Sequence, residues 1–324
     1  MRAIMVSENG GPDVLAIAEL PDPEPGPGEV VVDVAASGVN FADITKRAGR
    51  IPEPLPFIPG HEAAGVVSSV GSQVSGVTVG DRVGWGWPGV SGGYAERVAV
   101  PAQWIVPLPP QMQASTAAAV LIQGLTAHYL SHAAYPVRPG DTVLVHAAAG
   151  GVGSLLTQMI KLRGGRVIGT VSTAAKEKVA RQAGADELIR YTEVDFAAEV
   201  KRLTHGAGVS AVFDNVGRAT FDGSLAALAP RGTLAIYGQV SGPVPAFETA
   251  RLIAGGSLYL TRTSLVQYVT NREELLARAD DLFRWVISGE LSVNVWGRYP
   301  LADARSAHHE LESRRSAGKL LLIP

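Results

Sequence analysis

Val143-Leu144-Val145-His146-Ala147-Ala148-Ala149-Gly150-Gly151-Val152-Gly153 is the stretch on which the fold turns. An apolar run leads into a turn of small residues, and an amphipathic helix opens directly after it. Against the pattern G-x-G-x-x-G, Ala148 takes the first position, Gly150 the second and Gly153 the third. A small residue at 148 permits the tight turn, and Gly150 lets backbone approach a pyrophosphate. Gly153 lets the helix pack close on the strand, while the helix N-terminus offers N–H groups and positive dipole to an anion. A glycine pattern alone is weak evidence for a dinucleotide. Its place in a strand–helix–strand unit over 142–171, near the expected ~30 residues, gives it weight. The plain alternative is a glycine-rich turn with no ligand.

Outward from this motif the pattern alternates. Strands are predicted near 142–147, 166–171, 187–191, 209–214, 232–237 and 257–261, with helices between them at Gly151–Arg163, Asp195–Thr204 and Thr220–Leu228. Such repetition predicts an α/β fold with a doubly wound parallel sheet covered on both faces. Residues before about 112 read as short β runs, such as Val30-Val31-Val32-Asp33-Val34, broken by Gly and Pro as in a barrel-like domain. After about 264 a long helix opens with Thr270-Asn271-Arg272-Glu273, a capping-box pattern, and short strands return. The predicted division is 1–114, 115–263 and 264–324, the first and last parts forming one domain.

Composition narrows the function classes. A chain of 324 residues with 46% hydrophobic content and a formal net charge of −2 reads as a soluble enzyme of two domains. That charge gives no footprint for nucleic acid or an anionic membrane. Cysteine is absent, which removes disulfides, thiolate nucleophiles and cysteine-based metal sites. The start Met1-Arg2-Ala3-Ile4-Met5-Val6 lacks the basic head and apolar run of a signal peptide, so a cytoplasmic location is expected. Thr142 to Ile160 is uncharged and nearly long enough to span a bilayer, but its glycines and change of period fit a strand, turn and helix better.

The end of the second strand reports on cofactor choice. A carboxylate there would bind the adenosine ribose hydroxyls and favour NAD. Instead the chain runs Ser172-Thr173-Ala174-Ala175-Lys176, and the first acid is Glu177. Two hydroxyls and a cation suit a 2′-phosphate and predict NADPH. A second reading is that Ser172 or Thr173 caps a helix and Lys176 is solvated. The two are compatible.

Several further stretches resemble one family. Asn40-Phe41-Ala42-Asp43 with Arg47 and Gly49, then Pro59-Gly60-His61-Glu62-Ala63-Ala64-Gly65, are similar to the N-terminal domain of medium-chain dehydrogenases/reductases. Gln123-Gly124-Leu125-Thr126-Ala127, the His146–Gly153 run, Phe213-Asp214-Asn215-Val216-Gly217 and Tyr259-Leu260-Thr261-Arg262 resemble its quinone oxidoreductase (zeta-crystallin-like) branch. The resemblance runs through essentially the whole chain. It implies a GroES-like catalytic domain split in sequence around a Rossmann domain, with the cofactor in the cleft. It places Phe41, Ala42, Asp43, Ile44, Thr45, Tyr129, Gly150, Gly151 and Val152 on the cofactor. It adds Ser172, Thr173, Ala174, Ala175, Lys176, Tyr191, Asn215, Tyr237, Gly238, Gln239, Val240, Thr263, Ser264, Leu265 and Arg314. Asn40, Asp43 and Arg47 are expected on the nicotinamide side, with Tyr129, Asn40 or a water orienting or protonating product. One departure is that Thr45 and Ile51 stand where bacterial members tend to carry tyrosines at the substrate mouth.

His61-Glu62 matches the dipeptide that zinc alcohol dehydrogenases use at their metal, yet Asn40 and Gln123 stand where further ligands would be. Three protein ligands are needed for a catalytic zinc, so no metal is expected. A quinone accepts hydride and leaves as a stabilised anion, so no Lewis acid is required. The leading expectation is an NADPH-dependent quinone oxidoreductase. Two others stand beside it: a reductase of activated C=C bonds in enones, alkenals or enoyl thioesters, and a non-catalytic NADPH-binding or RNA-binding crystallin-like protein. A homodimer is expected through the uncharged edge strand Ser257–Thr261, an edge that relatives pair across a twofold.

Overall fold

Six parallel strands carry the fingerprint. In the protein's computed structural model, which describes residues 1–87 and 89–324, they are β1 Thr142–Val145, β2 Arg166–Val171, β3 Glu187–Arg190, β4 Val209–Asp214, β5 Leu228–Ile236 and β6 Tyr259–Arg262. Their spatial order is β3-β2-β1-β4-β5-β6, every neighbouring pair parallel. This is the order of a dinucleotide-binding sheet, whose crevice opens between the neighbours β1 and β4, where the strand order reverses. Helices α1 Gly151–Leu162, α2 Ala174–Gln182, α3 Phe196–Leu203 and α4 Phe221–Ala227 make the first four crossovers, and the short helix Ala250–Ala254 lies in the fifth. Leu144, Ile168, Val212 and Leu234, one from each of four adjacent strands, exclude solvent with Phe221 of α4. Near-continuous apolar strands of this kind are what a sheet covered on both faces requires.

The unit built on this sheet comprises Thr126–Tyr268 with Glu290–Ser292; the other comprises Met1–Leu125, Val269–Gly289 and Val293–Pro324. The chain therefore leaves the first unit inside the helix Ala114–Tyr129, later than the boundary expected at 114. The helix Arg272–Ser288 belongs to the first unit.

That first unit is a seven-stranded sheet in the order 295–300, 319–323, 29–39, 62–70, 82–86 and 106–107, with 97–101 also paired to 29–39. Strand 29–39 is central, antiparallel to 62–70, 97–101 and 319–323. A second apolar core, with Ile4, Val39, Ile44, Tyr94, Leu301 and Leu322, lies in this unit.

Two local expectations shift. The sixth strand starts at Tyr259 because Ser257 sits in the left-handed region at φ 59°, where no strand runs. The cap before Arg272–Ser288 is Asn271, whose side chain accepts the Glu274 N–H at 2.9 Å. Glu274, in place of Glu273, reaches back to Thr270, accepting from its N–H at 2.8 Å and its hydroxyl at 2.9 Å. Thr270 and Asn271 both have cap-forming side chains; Asn271 takes the cap, and the Glu274 carboxylate reaches past it to Thr270 rather than closing a box on the cap residue's own N–H. Among the described residues no helix is long and apolar enough to cross a membrane.

Candidate functional site

The carboxyl ends of β1, β2, β4 and β5 bring the expected cofactor residues of the sheet unit together. After β1 the backbone makes its turn at Ala147, a non-glycine residue at φ 49°. Gly150 caps α1, and its N–H bonds the Ala147 carbonyl at 2.8 Å. At Gly153 a Cβ would stand 2.3 Å from that same carbonyl oxygen, so only glycine allows helix and turn to approach so closely. The first N–H groups of a helix have no intrahelical partner, and here they open beside Gly150–Val152.

After β2, Thr173 caps α2 through an acceptor bond from the Lys176 N–H at 3.3 Å. The capping reading of Thr173 therefore holds, with Ala174, Ala175 and Lys176 in the first turn of that helix. Glu177 is turned to Arg181 at 3.3 Å and Arg190 at 3.7 Å, so the nearest acid after β2 is already neutralised by two guanidinium groups. Ser172 accepts from Thr192 Oγ1 through its carbonyl at 3.3 Å, and Tyr191 is half exposed nearby in sequence.

After β4 and β5, residues 237–240 run against Asn215. The Val240 N–H bonds the Asn215 carbonyl at 3.2 Å, and a Cβ on Gly238 would lie 2.5 Å from that oxygen. Asn215 Oδ1 and Tyr237 Oη are buried and have no hydrogen-bond partner among the described residues. Buried polar atoms without partners are costly, so each calls for a group not among these side chains. Burial drives the Tyr237 hydroxyl pKa far above its ordinary value, with the Asp214 charge adding to it. Tyr129 is buried, stacks on Tyr268 with ring centroids 4.4 Å apart, and meets Thr263 Oγ1 at 3.1 Å. Thr263 donates to the Ile236 carbonyl at 3.3 Å, so the Tyr129 hydroxyl is the donor to Thr263. Burial pushes that hydroxyl up to about 12. Ser264 and Leu265 follow Thr263 and open a short helix, Leu265–Tyr268.

The first unit gathers a different cluster around the helix Phe41–Arg47. The Asp43 carboxylate accepts the Asn40 N–H at 2.8 Å, the Gly60 N–H at 3.2 Å and the Tyr94 hydroxyl at 3.2 Å, and pairs with His61 Nδ1 at 2.5 Å. Tyr94 Oη meets His308 Nε2 at 3.0 Å; His308 Nδ1 meets Arg47 at 2.8 Å; Arg47 also donates to Glu312 at 2.8 Å. A guanidinium only donates, so His308 accepts at Nδ1 and carries its proton on Nε2 when neutral. Burial lowers His308 to about 4, with Arg47 adding to the effect and Asp43 opposing it.

Beside this chain, Glu62 accepts from Asn40 Nδ2 and the Ile122 N–H at 2.9 and 2.8 Å and is bound by the Lys319 ammonium. Lys319 also donates to Asn40 Oδ1 at 2.7 Å, and Asn40 Nδ2 reaches the Gly38 carbonyl at 3.2 Å. Asn40, Asp43 and Arg47, expected to line the nicotinamide side, are thus buried and engaged within their own unit. Phe41 is the exposed member of that helix, with Thr45 bonded back to its carbonyl at 2.7 Å. Arg314 is exposed, at φ 58°, just beyond the helix Ala304–Glu312.

This donor set does not fit zinc. The Glu62 carboxylate is occupied by a lysine ammonium, and the Asn40 amide is committed to Lys319, Glu62 and Gly38. No group of three or more His, Asp or Glu able to hold a metal ion occurs among the described residues. The sheet unit, by contrast, fits a phosphorylated dinucleotide, through the Gly153 cradle and the unpartnered Asn215 and Tyr237 atoms. Tyr94, His308 and Lys319 carry no signal of their own in the sequence; each meets its partners only through pairings distant along the chain.

Residues 26–110 match the alcohol dehydrogenase GroES-like domain and residues 151–281 the zinc-binding dehydrogenase family. A quinone oxidoreductase of Pseudomonas aeruginosa is 42% identical over 324 residues, 100% of this chain and 99% of its own length. A 2-haloacrylate reductase of a Burkholderia species is 39% identical, covering 100% of this chain and 99% of its own. Among solved structures, Escherichia coli quinone oxidoreductase complexed with NADPH superposes with a TM-score of 0.97 at 41% identity, over 100% of both chains.

Proposed function

Because the chain belongs to the quinone oxidoreductase family of the medium-chain dehydrogenases/reductases, we propose that it is an NADPH-dependent quinone oxidoreductase. The observation that carries the cofactor is the rim of the parallel sheet. Gly153 admits a close approach, Asn215 Oδ1 and Tyr237 Oη lack partners among the described residues, and the segment after β2 offers hydroxyls and Lys176 where an acid would select NADH. When bound, the nicotinamide supplies hydride to the acceptor. Gly150–Val152 hold the pyrophosphate, and Ser172–Lys176 with Tyr191 take the adenosine phosphate end. Asn215, Tyr237–Val240, Thr263–Leu265 and Tyr129 fix the remaining length of the dinucleotide. The contacts that the resemblance assigns to Phe41, Ala42, Ile44, Thr45 and Arg314 belong to the same proposal. Asp43 and Arg47, with their charges turned inward, position Asn40 and its helix and do not touch substrate.

The reaction needs no metal. A quinone that takes up hydride becomes a stabilised anion, so orientation against the cofactor is the protein's main contribution. Dialysis against a strong chelator is expected to leave turnover intact; loss of turnover restored by zinc overturns this part. The enzyme works in the cytosol as a homodimer, its sheet extended through β6.

The family's 2-haloacrylate reductase favours one second reading, reduction of an activated C=C bond. Steady-state rates with NADPH and 1,4-quinones against 2-alkenals and 2-haloacrylate separate the two. A kcat/KM higher for quinones supports the first reading, and the reverse ranking replaces it with the second.

A further inference from the structure

His146, the one ionisable residue in the fingerprint, lies fully inside the sheet unit between two hydroxyls. Its Nδ1 is 3.0 Å from Thr170 Oγ1 and its Nε2 is 3.0 Å from Ser224 Oγ. Each hydroxyl has one proton to give, so the direction of every bond follows by counting. The Ala147 N–H points at Thr170 Oγ1 at 3.3 Å, which uses that oxygen as an acceptor. Ser224 donates to Asp214 Oδ2 at 2.8 Å. With the imidazole proton on Nε2, four bonds form in sequence: Ala147 N–H to Thr170, Thr170 O–H to Nδ1, Nε2–H to Ser224, and Ser224 O–H to Asp214. With the proton on Nδ1, Thr170 has no acceptor for its hydrogen among the described residues, and Ser224 must abandon Asp214 to reach Nε2. Charging the ring is opposed by burial, which lowers the His146 pKa against the pull of Asp214. Phe196 closes one side of the ring edge-on, with centroids 4.8 Å apart.

The chain of bonds ends in turns that face the cofactor side of the sheet. Asp214 Oδ1 accepts the Val216 and Gly217 N–H groups at 2.7 and 3.0 Å, which folds the turn carrying Asn215. Its other oxygen holds Thr220 at 2.7 Å. At the opposite end Ala147 sits at φ 49°, a conformation that a non-glycine residue keeps only where its surroundings over-determine it. Thr170 supplies that constraint, since its hydroxyl takes the Ala147 N–H and its carbonyl takes the Ala148 N–H at 3.1 Å. Thr170 also lies two positions before Ser172, where the adenosine phosphate segment begins.

We propose that His146, as the neutral Nε2–H tautomer, is a positioning residue for NADPH. Through Thr170 and through Ser224–Asp214 it locks the pyrophosphate turn and the Asn215 turn into one rigid rim. The inference rests on the cofactor reading above and adds to it the residues that set the rim's shape before cofactor arrives. His146 and Thr170 touch no cofactor themselves in this account.

The test compares Thr170→Val and Thr170→Ser with the unaltered protein, by direct titration of NADPH and by nitrogen NMR of ligand-free protein. Valine keeps the shape but removes both roles of the hydroxyl; serine keeps them. Thr170→Val is expected to weaken NADPH roughly 5- to 30-fold, the loss of a buried hydrogen-bonding group. The quinone KM at saturating NADPH should stay put, and Thr170→Ser should bind NADPH as the unaltered protein does. In the unaltered protein, the His146 signal (assigned by its absence in His146→Phe) should show Nε2 protonated and Nδ1 bare. Equal NADPH affinity in Thr170→Val, or a bare Nε2, overturns the positioning role while leaving the cofactor reading in place. Should the unaltered protein itself bind no NADPH while His146 shows the expected tautomer, the cofactor reading is what fails.

Discussion

Asp43 Oδ1 and His61 Nδ1 lie 2.5 Å apart, and neither side chain meets solvent. Burial works to raise the Asp43 carboxyl, but the charge and hydrogen bond of His61, with His308 and the Asn40 N–H, hold it below the ordinary range. The carboxylate is the hub of its unit because it is the one acceptor shared by a histidine, a tyrosine and two backbone N–H groups.

Asp43→Asn therefore removes the charge on which four donors converge. Charge-assisted bonds of this kind and an orphaned buried donor together cost about 2–4 kcal/mol. Denaturant unfolding should show that loss for Asp43→Asn and a smaller one, about 1–2 kcal/mol, for Tyr94→Phe, which deletes one hydroxyl and its bonds to Asp43 and His308. Equal losses for the two variants contradict the hub role.

His308 makes stability depend on pH in a defined window. Its pKa falls to about 4 in the folded protein from an unfolded value of 6.5, so the unfolded chain takes up the proton first. The contribution is complete above pH 6.5 and is lost as pH drops from 6.5 toward 4. The full difference amounts to about 3 kcal/mol. His146 shifts in the same direction, so both histidines act in the same sense. The Tm of the native protein should decline across this window, and His308→Gln should flatten the decline without abolishing it. An unaltered slope in the variant assigns the effect elsewhere.

Lys176 stands in the first turn of the helix after β2, with Glu177 already paired to Arg181 and Arg190. Lys176→Ala is expected to weaken NADPH about 5- to 30-fold, the range for one charge-assisted phosphate contact, and to leave NADH nearly unchanged. Isothermal titration with both cofactors decides it: parallel losses, or none, remove Lys176 from cofactor selection.

β6 is an edge strand whose Tyr259 is 63% exposed; it carries no proline, and the charge at its end, Arg262, is turned to the Ile236 and Thr263 carbonyls at 3.1 and 3.2 Å. Unpaired edges of this sort invite pairing with a second copy. Light scattering at micromolar concentration should find a dimer, and Tyr259→Pro should shift it to monomer or aggregate by disturbing the ladder. A monomeric native protein, or a dimer indifferent to proline, excludes this edge.

What the sequence made legible was local. The fingerprint, the strand order's periodicity and the Thr173 cap each depend on neighbours within a few positions, where residue type and spacing carry the physics. Asn40 shows the limit. Nothing near it in sequence indicates that its amide is held by Lys319, which lies 279 residues away along the chain. Arg47 and His308, separated by 261 residues, meet for the same reason: strand 29–39 pairs with 319–323, and no periodicity announces such pairing. The cap moved by one residue because Thr270 and Asn271 are both fit to cap, and only the backbone chooses between them.

The strand 319–323 that pairs with the centre of the first unit also brings Lys319 to Glu62 and Asn40. During synthesis this imposes a timetable. The sheet unit draws nearly all its residues from one uninterrupted span, Thr126–Tyr268, and has its six strands as soon as that span has emerged. The first unit, although begun earlier, leaves the Glu62 carboxylate without its ammonium partner until residue 319 is made. For most of translation, then, the half of the protein that is synthesised first is the half that finishes last.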